Sequence, residues 1–600
     1  MARLIIWSAV LVGTSAVLGA SWKDRLSVKD GGEPPAWDAG AVYPMLDGGQ
    51  GFALIADSPM EVVNGSYPIA SAARFDAQAN LLWAAYLDTG DGAREQELSG
   101  PGDELDTLFA GYINEAGAAV MGLVDGAQLD VRFAHQVALS VPPDQASLHI
   151  FPDLLSVLLQ DTGTSVRMLV VDADGNRVFE REYQSAAFEG GAFGGIPGLG
   201  GVRALSIAPL PDRTGYVVCV HSSEQTIGGG FPPTLANANY VATLCLNRDG
   251  TVRWANRFNL ISGGVASVLL GTAEDNSILY RILETGFDLG TLQAVSRTHL
   301  IKLSNTGALG WARTIDGAQI VAVNFSTDGG YWFSGTRTVT LNPPSTDLAV
   351  LRVNPDTGAL EAQAILNQGT YDSGSLAGIS ADRVFVGLQS AADPTALFAQ
   401  AGHVVALDRN LGFVDARRYR DPIGFASLAY SRSTDELLYS AFRFTDNAID
   451  VVSLTPGLNA AAGCELFDPA EIAVAASGLT AQALSLSVET ATVQTVDHNS
   501  ALEPGELPVA ALEIERVSIC GGSVEPEPPQ LSLQAASGGD GLALVFSSSE
   551  GIQYVVRRAD AVTGPYATEA TLAGTGGPIE HPVDTSDGEA GFYYVEALDP

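Results

Sequence analysis

Along most of the chain, short apolar runs alternate with turns rich in Asp, Asn and Gly. Four stretches show the unit most clearly: VATLCLNRDGTVRWANRF (241–258), HLIKLSNTGALGWARTI (299–315), LAVLRVNPDTGALEAQAI (348–365) and HVVALDRNLGFVDARRY (403–419). Each reads as strand, tight turn, strand, because Asp, Asn and Gly tolerate the positive φ that closes a hairpin. The runs are rich in Val, Leu, Ile and aromatic residues and show no helical period. Weaker copies are ARFDAQANLLWAAYL, MLVVDADGNRVFEREY and QLDVRFAHQVAL.

Anchored on a Trp or its equivalent, the units fall at 83, 133, 179, 254, 311, 361 and 415, a period of about 50 residues. Each is preceded by further strand-like runs, such as GYVVCVHSS, SILYRILE, DRVFVGLQS and DELLYSAFRF. About four short strands per repeat predict a β-propeller over 42–460, with seven or eight four-stranded blades. The fold class is therefore all-β.

The best repeats resemble bacterial secreted β-propeller repeats (SBBP-like). Asp328-Gly329-Gly330-Tyr331 matches that family's turn, and Ile301-Lys302-Leu303 through Gly307 to Trp311 matches its second strand pair. The resemblance implies an extracellular propeller and carries over no catalytic residue.

The flanks differ from the repeats. Residues 1–20 (MARLIIWSAVLVGTSAVLGA) have one Arg, an apolar run and small residues at the end, the layout of a secretory signal peptide, and 21–41 reads as an N-terminal extension. Residues 461–522 alternate and are bracketed by Cys464 and Cys520, predicting a disulfide-closed β segment that caps the propeller. SVEPEPPQ (523–530) is a stiff linker. Residues 531–600 hold six strand candidates and predict a small β-sandwich. The phrase from Val556 to Tyr566 resembles fibronectin-type-III-like modules, which implies a spacer or adhesive unit.

Charge narrows the function classes. Thirty-one basic against 69 acidic side chains give a net charge of −38, which opposes binding to nucleic acid and to anionic lipid. The chain is expected to be exported, secreted or held at the cell surface (the periplasm included), without membrane insertion once the signal is cleaved, and monomeric. Export favours disulfides, and Cys219–Cys245 and Cys464–Cys520 are the expected pairs of three connectivities.

Candidate chemistry is sparse. Ser326, Asp328, Gly330 and Trp332 resemble a sialidase Asp-box, but the Trp comes one residue early. Asp172, Asp174 and Asn176 alternate as in a Ca²⁺ loop, yet the Gly position and the closing Glu are wrong, and a hairpin turn accounts for them. No cofactor is expected, and weak Ca²⁺ binding is left open. Seven scattered His do not form a zinc motif. The repeat's Trp residues are expected to pack between blades. The longest repeat interval contains two Gly-rich stretches, 186–201 and 226–233, where Phe188, Phe193 and Phe231 would serve a ligand loop. A non-catalytic protein binding polysaccharide or a cell-surface or matrix component is the leading expectation. The alternative is an extracellular glycan hydrolase with carboxylates at the propeller axis.

Overall fold

A computed structural model describes residues 23–598 except for loop segments, the longest being 29–39, 59–68, 189–202 and 520–530. The chain divides into two compact units, 19–519 and 520–600.

In the larger unit, successive antiparallel four-stranded meanders occupy 40–87, 93–138, 146–184, 203–262, 265–316, 319–367 and 371–419. The last meander, 425–454, supplies only three strands. Its open edge, Ala448–Leu454, is filled by Lys23–Val28, with Leu26 opposite Ile449. Residues 23–28 are thus part of the sheet system, and the expected N-terminal extension is corrected. An unpaired outer edge would leave backbone N–H and C=O groups without partners, and this strand satisfies them.

Consecutive meanders stack face to face. One apolar cluster joins Val157, Val170 and Phe179 to Val218, Leu244 and Ala255 of the next meander. Others link each following pair, as with Trp311 and Ile315 against Phe333 and Leu351. The first strands of several neighbouring meanders also touch, among them Ala93–Ser99 with Ala146–Ile150, Arg203–Pro209 with Val265–Thr272, and Phe425–Ser431 with Gly40–Pro44. The result is a propeller-like arrangement of small antiparallel sheets with the first strands innermost.

The sheets are five-stranded, not four-stranded as expected. Residues 467–518 belong to the same sheet system. They run along the outer edges in reverse order, adding one short strand to each meander. Phe467–Pro469 pairs with Phe413–Tyr419, Ala473–Ala475 with Leu360–Asn367, and Ala481–Ala483 with Leu309–Asp316. Val488–Thr490, Gln494–Asp497, Glu503–Pro504 and Val509–Ala511 continue backwards through the sheets, and Ile514–Ser518 ends on Lys23–Val28. The alternating polar pattern of this segment suits an edge strand with one face in solvent. The sheets of 319–367 and 371–419 are further joined by one parallel bridge, Thr346 to Tyr371.

Seven outer strands contain a β-bulge at the same place. The unpaired residues are Leu82, Arg132, Val178, Arg253, Gly310, Glu361 and Val414. The Trp-equivalent of the 319–367 meander is therefore Ala362, not residue 361, because its turn, Asn354–Ala359, is one residue longer than Ser304–Ala308.

In the smaller unit, Leu531–Ala535, Leu542–Phe546 and Ile579–Val583 form one three-stranded sheet. Ala567–Ala573, Gln553–Ala559 and Phe592–Leu598 form another. Leu544, Phe546, Tyr554, Val556 and Val595 make a shared apolar cluster.

Candidate functional site

A surface cavity of about 310 Å³ opens where the 265–316 and 319–367 meanders meet. Its walls come from four short segments. The turn before Ile278 contributes Asp275 and Ser277, and the hairpin after Lys302 contributes Ser304 and Asn305. The bulge contributes Gly310 and Trp311, and the next meander's turn contributes Pro355 and Asp356.

Local turn chemistry fixes these groups. Asn276 adopts φ 58°, and the Asp275 carboxylate accepts the Ser277 N–H at 2.9 Å. Ser304 Oγ accepts the Ala308 N–H at 3.1 Å, and Gly307 takes φ 83°. Trp311 donates its indole N–H to Pro355 O at 2.8 Å, which ties the two meanders together. Lys302 reaches the same carbonyl at 3.1 Å and Asp275 Oδ2 at 3.3 Å, with its ammonium 5.1 Å from the Tyr331 ring.

Burial disfavours the Lys302 charge, but Tyr331 and Asp275 outweigh that and raise its pKa above the ordinary value. Burial likewise acts against the Asp275 charge, and the Ser277 bonds and Lys302 overcome it to lower its pKa. The cavity thus has one ammonium, two carboxylates, two hydroxyls, an amide and an indole. That mixed set of donors and acceptors suits a small polar ligand.

The sequence-predicted residues are dispersed. Cys219 and Cys245 are free and buried, so the expected bridge between them is corrected. The register places Cys219 opposite Thr243 and Cys245 opposite Val217. Such diagonal positions sit about 7–8 Å apart, at or beyond the limit for a disulfide. Cys464 is disulfide-bonded, and Cys520 lies outside the described residues.

Phe188 is 1% exposed and packs in the core with Phe151 and Tyr183, so it does not face a ligand. Phe193 and Phe231 lie outside the described residues. Asp172 Oδ1 accepts the N–H groups of Asp174 and Asn176 at 3.0 and 2.7 Å, a hairpin-turn role. Ser326 and Asp328 of the Asp-box resemblance lie outside the described residues. Trp332 is fully buried, with the guanidinium carbons of Arg352 and Arg409 5.3 and 5.2 Å from its ring centre. Among the described residues, no group of three or more His, Cys, Asp or Glu side chains could hold a metal ion.

One polar array had no sequence signal. Thr314 Oγ1 lies 3.0 Å from His299 Nδ1, and His299 Nε2 lies 3.0 Å from Glu284 Oε2. The order is hydroxyl, imidazole, carboxylate. His299 and Glu284 are buried among the strands, and Arg297 shares the carboxylate at 3.7 Å, which makes the array a cross-strand tie. The cavity also escaped sequence reading. Its residues are ordinary turn letters, and only the pairing of separate meanders brings them together.

No protein-family model matches the chain, and no curated protein matches it. Among solved structures, the chain is similar to the Dos1 propeller, at 10% identity and a TM-score of 0.41, over 73% of this chain and 97% of that one. A Synechocystis apocarotenoid oxygenase mutant aligns at 12% identity and a TM-score of 0.32, over 76% of this chain and 96% of that one. A mutant NanB sialidase from Streptococcus pneumoniae aligns at 8% identity and a TM-score of 0.29, over 71% of this chain and 69% of that one. The fold is read from the strand pairing, not from these loose likenesses.

Proposed function

We propose that the chain is an exported, non-catalytic β-propeller that binds polysaccharide or a cell-surface or matrix component. In this reading the meanders are eight blades, each with a fifth edge strand. Residues 1–20 act as the export signal, Cys464 bridges to Cys520, and 531–600 form a fibronectin-type-III-like sandwich.

The composition of the inner strands supports binding over glycan hydrolysis. A glycosidase at the axis needs a pair of carboxylates facing each other there. Several of the innermost strands are instead mainly apolar, as in Val265–Thr272 (VASVLLGT), Gln319–Phe325 (QIVAVNF) and Phe425–Ser431 (FASLAYS). The carboxylates of the innermost strands are Glu95 and Glu97 on one strand and Asp372 on another. Asp372 is fully buried and already accepts the N–H groups of Gln368 and Gly369 at 2.8 and 3.1 Å.

The test is a pull-down of the mature chain on insoluble polysaccharides and on cells, with released sugar assayed in the same tubes. Retention without sugar release is the expected result. Sugar release that disappears in a Glu95→Gln, Glu97→Gln double variant would overturn the non-catalytic reading.

A further inference from the structure

The cavity beside Lys302 has an internal counterpart that shows why it is open. In the preceding meander, Asp212, Thr214, Asn247 and Trp254 stand where Asp275, Ser277, Ser304 and Trp311 stand in this one. Arg213 and Asn276 share the same left-handed turn position, with φ 57° and 58°. Asp212 caps Thr214 as Asp275 caps Ser277. The two indoles donate to the next turn alike, Trp254 to Asn305 O and Trp311 to Pro355 O, each at 2.8 Å.

The bulge residue separates the two sites. In the earlier meander it is Arg253. Its guanidinium crosses the space between the turns and donates to Thr214 O and Oγ1 at 2.7 Å and to Asn247 Oδ1 at 2.5 Å. In the next meander the bulge residue is Glu361, held by Asn354 at 2.8 Å and Arg352 at 3.1 Å. At the cavity it is Gly310. Leu82, Arg132, Val178 and Val414 occupy the position elsewhere, so among the seven bulges only this one lacks a side chain.

We propose that the Gly310 gap is a binding subsite for one neutral sugar unit. The proposal rests on the polysaccharide-binding reading above and gives it a location. Where Arg253 meets acceptors in its own meander, the open site keeps acceptors at Asp275, Ser304, Asn305 and Asp356 and adds the Lys302 ammonium as a donor. A ligand here must both donate and accept, as sugar hydroxyls do. The carboxylates outnumber the ammonium, which disfavours uronate units.

Gly310 can carry a side chain. An added Cβ would come no closer than 3.3 Å, to Lys302 O, and six sister bulges already hold larger residues. Gly310→Arg should therefore fold and fill the gap as Arg253 does.

The experiment titrates the mature chain with neutral glucan and galactan oligosaccharides, a glucuronate oligomer and an arginine tetrapeptide, by calorimetry and tryptophan fluorescence. Neutral oligosaccharide binding at least tenfold weaker in Gly310→Arg, with Tm unchanged, is the expected result. Asp356→Arg, at the exposed mouth, should weaken it as well and covers the case in which Gly310→Arg does not fold. Full binding by both variants would overturn the site. Binding of the peptide or glucuronate alone would overturn the ligand class. Wild-type protein that binds no polysaccharide in the pull-down would instead defeat the wider reading.

Discussion

The Trp311 indole lies directly on the backbone of Gly358, one meander further along the chain. A Cβ on Gly358 would come within 2.6 Å of the ring, and Gly358 holds φ 68°. The same relation links Phe133 to Gly175, Phe179 to Gly250 and Trp254 to Gly307. The aromatic and turn-glycine letters of the repeat are therefore two halves of one contact between neighbours.

Gly358→Ala should be strongly destabilising, since it meets both a left-handed backbone and an occupied space. A loss of about 2–4 kcal/mol is expected from overpacking plus conformational strain. Gly317→Ala is the control: its φ is 82°, but the nearest atom to an added Cβ is 3.6 Å away, so only the backbone cost of about 1–2 kcal/mol remains. Urea midpoints of the two variants should separate accordingly, and equal losses would count against the ring contact.

Glu180 makes the edge segment sensitive to acid. Its carboxylate accepts the Ser500 N–H and hydroxyl, each at 2.7 Å, and pairs with Arg167 at 2.5 Å. Burial opposes its charge, but the Ser500 bonds and Arg167 prevail and lower its pKa below the ordinary 4.5. A lowered folded-state pKa gives stability that is present above 4.5 and is lost as pH falls through the folded value. Glu180→Gln should be less stable than wild type at pH 7, and the difference should shrink toward pH 3 in urea titrations.

The thiols of Cys219 and Cys245 should be inert in the folded chain. Burial pushes them up to about 12 and about 11 respectively. With little thiolate present, a disulfide reagent should label neither at pH 8 without denaturant and both in strong urea. Rapid native labelling of either would contradict the buried placement.

A chain ending at 463 should associate. It would leave the outer edges of strands such as Arg177–Gln184 and Leu309–Asp316 unpaired, and open edges recruit other chains. Size-exclusion chromatography should show oligomers or aggregate in place of the full chain's main species.

Strand positions and the approximate period were legible because two-residue alternation and Gly-bearing turns are local signals. The register was less so: one extra residue in the Asn354–Ala359 turn displaced the Trp-equivalent from 361 to 362. The partners of 467–518 were not legible, since three-residue edge pairings such as Arg313–Ile315 with Ala481–Ala483 leave no mark beyond alternation. Cys219 and Cys245 misled because they sit on neighbouring strands and one face, yet two positions out of register. The cavity depends on a missing side chain at Gly310, which has meaning only against Arg253 in the repeat before it.

The reverse course of the edge segment also sets an order for folding. Its first strand, Phe467–Pro469, joins the four-stranded meander nearest to it in the chain, while its last, Ile514–Ser518, meets Lys23–Val28 at the far end. The cheapest loop closure therefore comes first, and each pairing shortens the search for the next. Protection of Ile514–Ser518 amides from hydrogen exchange later than that of Phe467–Pro469 amides is the expected sign of this order.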